Sequence, residues 1–169
     1  MNRGPNSVRR DDFLIIGYGN TLRGDDGAGP RVAETVAARN YPGARVLVCP
    51  LLTPELADPI SQSRAVIFVD AAVDEPNEVR LVKLQPAESA QIMTHAAGPS
   101  TLLALARDVF GYAPEAWCLT VPAVKFDFGG EFSPVTQQGI AAALVRIEAM
   151  LLERQAGSPP VSLLGGGNK

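Results

Sequence analysis

This 169-residue chain is poor in the side chains most often recruited for catalysis and metal binding. It holds one histidine, His95, and two cysteines, Cys49 and Cys118. Two thiols cannot build a cysteine-based zinc site or a disulfide framework. Each lies inside an apolar, strand-like run, where a reduced core residue is expected. No G-x-S-x-G elbow occurs, so Ser100 with His95 does not read as a serine hydrolase pair. The chain also lacks a glycine-rich loop ending in Gly-Lys-Ser/Thr, which excludes a Walker-type phosphate loop. A formal net charge of −3 argues against a nucleic-acid partner. No apolar run reads as long enough to cross a bilayer, and no membrane partner is expected. In the N-terminal MNRGPNSVRRDD, Asp11 and Asp12 interrupt any signal-type apolar segment, so the expected compartment is the cytoplasm.

What is present centres on Phe13 to Gly29, FLIIGYGNTLRGDDGAG. The unbroken run Phe13–Ile16 predicts a strand buried on both faces, as in a parallel sheet covered by helices. Gly17 and Gly19 allow a sharp turn. Gly29-Pro30 predicts the start of a helix. The loop between them carries Asn20, Arg23, Asp25 and Asp26. A dinucleotide fingerprint fits Gly17 and Gly19, but its third glycine position holds Leu22, and two carboxylates would face the pyrophosphate. The two aspartates also suit a helix N-terminus, where acidic residues are favoured.

Along the rest of the chain, strands and helices alternate. Residues 1–12 read as a flexible arm and 13–155 as one α/β domain. Residues 156–169, rich in Gly, Pro and Ser, read as a disordered tail. Helices are expected from Pro30 to about Asn40, with Val32, Ala33, Val36 and Ala37 on one face, and from Thr53, with Pro59 kinking or splitting it. A third is expected over Pro99–Phe110, with Leu102, Leu103, Leu105, Ala106, Val109 and Phe110 apolar and Gly111 closing it. The last runs from Ser133-Pro134 to about Arg154. Strands are expected at Ala44–Cys49, Ala65–Val69, Glu78–Leu84 and Ala116–Val121; the alternating EVRLVKL suits a sheet edge. The pattern implies a three-layer α/β/α sandwich on a largely parallel sheet of about five strands.

Asp70 follows AVIFV, and a carboxylate behind five apolar residues is costly unless something pairs with it. His95 lies in the loop ahead of the Pro99 helix. Right-handed crossovers put the ends carrying Asp25/Asp26, Asp70 and His95 on one rim of the sheet. Two carboxylates and an imidazole suit a divalent transition metal with open positions.

The pattern Gly17-x-Gly19-Asn20-x-Leu22-x-x-Asp25-Asp26-Gly27-x-Gly29 resembles the N-terminal signature of the NiFe hydrogenase maturation proteases. Similarity extends over about residues 13–150 and includes Gly129–Val135, GGEFSPV, which resembles that family's approach to its last helix. The resemblance places the family's metal-binding and catalytic trio on Asp26, Asp70 and His95. Some members carry glutamate at the Asp26 position, and the segment around Lys125 matches less well. It implies an endopeptidase that removes the C-terminal extension of a NiFe hydrogenase large-subunit precursor after nickel insertion. The nickel is then expected to be carried by the precursor, with other divalent ions able to occupy the site in vitro, and the protein is expected to be a monomer. Such enzymes are often grouped with aspartic proteases, yet no D-S/T-G dyad is present here. A non-catalytic nickel-binding or docking module in hydrogenase assembly would use the same trio, and a cleavage assay separates the two.

Overall fold

The computed structural model describes residues 11–74, 77–88 and 98–157. His95, residues 1–10 of the expected arm and residues 158–169 of the expected tail lie outside the described residues. Five strands form one sheet in the order β2-β1-β3-β5-β4: β1 Phe13–Tyr18, β2 Ala44–Cys49, β3 Ala65–Ala72, β4 Arg80–Leu84 and β5 Glu115–Pro122. All pairings are parallel except β4 with β5 at one edge. The helices are α1 Ala28–Arg39, α2 Ala57–Ser61, α3 Pro99–Phe110 and α4 Pro134–Gly157. With helices on both faces this is the three-layer sandwich expected from the sequence.

The apolar runs of β1 and β3 are buried throughout because alternate side chains feed two separate cores. Phe13, Ile15, Ile67 and Val69 meet α1 and α4 on one face. Leu14, Ile16, Val66 and Phe68 meet α2 and α3 on the other. Burying one such side chain stabilises the fold by about 1.5–3 kcal/mol, so these two strands dominate the packing. β4 lies at the edge with a largely exposed pattern, as its alternation implied.

Several boundaries differ from expectation. β3 continues to Ala72, because β5 goes on pairing with it as far as Ala72 opposite Pro122. Asp70 therefore sits within the strand rather than after it. Thr53-Pro54 starts a 3-10 turn (Pro54–Leu56), and the α-helix that follows is only five residues long, with Pro59 inside it. Ala37, Val109 and Phe110 are exposed, so the buried stripes of α1 and α3 end at Val36 and Ala106. Asp11 and Asp12, the last two residues of the expected arm, contact the domain. Asp11 bridges to Ser63, and Arg64 donates its amide to the Asp11 carbonyl at 2.9 Å.

α4 runs three residues beyond Arg154. It is long and apolar enough, by length and composition, to cross a membrane, which corrects the reading that no such run exists. In this fold α4 covers one face of the sheet. Gly139 makes that approach possible, since a Cβ there would lie 2.8 Å from Val121 Cγ1.

Candidate functional site

β1 and β3 are neighbours, yet the chain leaves them in opposite directions, β1 through α1 to β2 and β3 to the far edge. Their carboxyl ends flank the switch point where ligands gather in open α/β sheets. Gly29 in the first turn of α1 packs so close that a Cβ there would collide with the carbonyl oxygens of Val69 and Tyr18. Gly19, at φ 144°, places its backbone against the Asp26 carbonyl, where no side chain fits. These contacts draw the Asp26 loop down onto the ends of both strands.

Asp25 and Asp26 are adjacent in a 3-10 turn, Gly24–Gly27, and have opposite fates. Asp25 is fully buried. Its carboxylate accepts the amides of Val124 (2.9 Å), Lys125 (2.8 Å) and Ser133 (2.8 Å), and the Ser133 hydroxyl at 2.7 Å. Burial pushes its pKa up, but these bonds outweigh it and hold the group down at about 2. Asp25 is a latch between two loops, and its full burial closes it to a ligand. Asp26 is half-buried, and its Oδ2 accepts the Asn20 amide at 2.9 Å.

Asp26 and Asp70 line one cavity of about 390 Å³, together with Tyr18, Gly19, Pro50, Leu51, Leu52, Gly98 and Pro99. Asp70 Oδ1 accepts the amide of Ala71 at 2.8 Å. Burial raises the Asp70 pKa; the Tyr18 hydroxyl and the Ala71 amide pull it back, and the Asp26 charge pushes it further up. Burial and the Asp70 charge push the Tyr18 phenol well above its ordinary range, so it stays protonated beside the acid pair. The cavity therefore holds two carboxylates that repel each other in a partly dry setting, an arrangement a cation relieves. α3 starts at its wall, so the positive end of that helix also faces the acids.

Of the sequence-derived trio, Asp26 and Asp70 share this cavity, and His95 falls in the undescribed segment three residues before Gly98. Among the described residues no three histidine, cysteine or acidic side chains form a metal-holding group. Both cysteines are half-buried on strands, and burial raises the Cys49 thiol pKa, which disfavours a nucleophilic thiolate. Tyr18 and the Pro50–Leu52 wall were not singled out from sequence. The signal for Tyr18 was its parity with Leu14 and Ile16, which directs it to the same face as Asp70.

No protein-family model matches this chain, and no curated protein does. Solved structures do. A NiFe hydrogenase maturation protease from Thermococcus kodakarensis superposes with a TM-score of 0.64 at 22% identity, covering 83% of this chain and 99% of its own. The hydrogenase maturating endopeptidase from E. coli gives 0.64 at 22% identity, covering 86% and 94%. A hydrogenase 2 maturation peptidase from a Thaumarchaeota archaeon gives 0.62 at 23%, covering 82% and 97%. The chain thus carries, over more than four-fifths of its length, the fold of the NiFe hydrogenase maturation proteases that its N-terminal motif resembles.

Proposed function

We propose that this protein is an endopeptidase that removes the C-terminal extension of a NiFe hydrogenase large-subunit precursor once nickel is in place. The observation that carries the reading is the pair Asp26 and Asp70 lining one open cavity at the switch point, in a fold shared with proteases of that name. In this reading the nickel belongs to the substrate. Two hard carboxylates hold a free nickel ion loosely, whereas nickel already bound by the precursor brings most of its own ligands. Asp26, Asp70 and His95 then fill its open positions, and the protein need not carry a metal at rest.

Docking on the nickel brings the scissile peptide beside the acid pair, which supplies proximity. The metal polarises the carbonyl or lowers the pKa of a water, and that water adds across the C–N bond as the bond breaks. Pro50, Leu51 and Leu52 form one apolar wall of the cavity. We further propose that the protein acts in the cytoplasm.

The test is cleavage of a nickel-loaded precursor and of the same precursor without metal, read by mass spectrometry of the released peptide. Cutting of the loaded form alone is expected. Equal cutting of both refutes the metal check. Binding of the loaded form without cutting identifies a non-catalytic docking module instead.

A further inference from the structure

The rim around the acid pair displays a group of exposed apolar side chains. Leu22, Leu51, Val73, Val124 and Phe128 are all exposed, Phe128 at 87%. Leu51 lines the cavity itself. Leu22 lies four residues before Asp26, and Val73 three after Asp70. Val124 follows β5, whose neighbouring Ala123 donates its amide to Ala72 at 3.0 Å. The five side chains are thus distributed along the carboxyl rim of the sheet on which the cavity opens.

The part of this rim bearing Leu22 and Phe128 is pinned. Gly24 donates to the Gly129 carbonyl at 3.0 Å, Gly129 donates to Leu22 at 3.2 Å and Asp25 donates to Lys125 at 2.8 Å. The Asp25 carboxylate then clamps Val124, Lys125 and Ser133 from beneath. An aromatic ring on a fixed frame loses little freedom when it is covered, and rigid aromatic anchors dominate binding at interfaces.

We propose that this rim is the docking surface for the protein substrate, and that Phe128 and Val124 anchor an apolar segment of it adjoining the cationic centre. The inference rests on the function proposed above. Two observations select this occupant. The surface is continuous with the cavity, because the loop presenting Leu22 is the one carrying Asp26. Its charge is also complementary to a cation: Asp26, Asp70, Asp74, Asp127 and Glu131 stand on these loops against Arg23 and Lys125 among the described residues. That acidic excess disfavours an anionic lipid surface.

The experiment compares wild type, Phe128→Ser, the double variant Val124→Thr/Phe128→Ser, and Val145→Ser on the outer face of α4 as a control. Steady-state cleavage of the nickel-loaded precursor gives KM and kcat for each. Phe128→Ser is expected to raise KM at least tenfold, with kcat changed far less, and the double variant to raise KM further. Val145→Ser leaves both unchanged. Melting temperatures check that each variant folds, which the exposure of both positions favours.

If wild type cuts the precursor and both rim variants keep KM within twofold, the docking surface is refuted while the proposed function stands. If wild type neither cuts nor binds the precursor, the proposed function fails and the inference falls with it. A wild-type dimer dissociated by Phe128→Ser, or vesicle binding abolished by it, assigns the patch to a second copy or a membrane and overturns the proposal.

Discussion

Replacing Asp25 tests whether one buried carboxylate organises the whole rim. In Asp25→Ala four donors lose their acceptor: the amides of Val124, Lys125 and Ser133, and the Ser133 hydroxyl. Val124 and Lys125 are exposed residues, so water can reach their amides in part. Ser133 is buried, so its amide is left dry, while its hydroxyl can turn to the Thr136 hydroxyl at 3.0 Å. At about 1–3 kcal/mol for the one buried donor left unsatisfied, with smaller losses for the other three, the cost is about 2–4 kcal/mol. Against a total stability of about 5–15 kcal/mol, that lowers the melting temperature by roughly 10 °C.

The assay is urea unfolding followed by circular dichroism at neutral pH and through the acid range. The sign of the acid effect follows from the Asp25 pKa, which folding lowers from 3.8 to about 2. Its contribution is present above about pH 4 and is lost as the pH falls through 2. Wild type should lose stability across that window, and Asp25→Ala should lose less there. A loss below about 1 kcal/mol at neutral pH, or an unchanged acid profile, refutes the latch.

Two further substitutions probe the cavity. Folding raises the Asp70 pKa, so its charge opposes the folded state; the stabilising neutral form is lost as the pH rises through the folded pKa. Asp70→Asn should therefore raise the melting temperature at pH 7 while abolishing cleavage, and a less stable variant counts against burial as the cause of the shift. Gly29→Ala puts a Cβ into the carbonyls of Val69 and Tyr18, all backbone atoms that cannot swing aside. It should cost about 3 kcal/mol in urea unfolding, and wild-type stability refutes the close approach.

Some of this was legible along the chain because it depends on neighbours in sequence. The apolar runs of β1 and β3 predicted doubly buried strands, since a strand without alternation has no face to leave in water. Pro99, Gly111 and the Ser133-Pro134 start marked ends of α3 and α4, because proline and glycine act on the backbone locally. The glycine-rich loop and its aspartates pointed to the rim for the same local reason.

The motif resemblance selected Asp26, but the physical reason Asp25 does not face the cavity lies in the tertiary structure. Asp25 and Asp26 are chemically identical neighbours, and the acceptor role of Asp25 is set by Ser133, 108 residues away in sequence. The position of Asp70 inside β3 depends likewise on pairing with β5 out to Pro122. Val109 and Phe110 continue the helical period of α3, yet they are exposed where the buried part of that helix has ended. Period and propensity say which side chains can share a face. What covers that face, and which of two equal carboxylates is left free, depends on distant segments meeting in space.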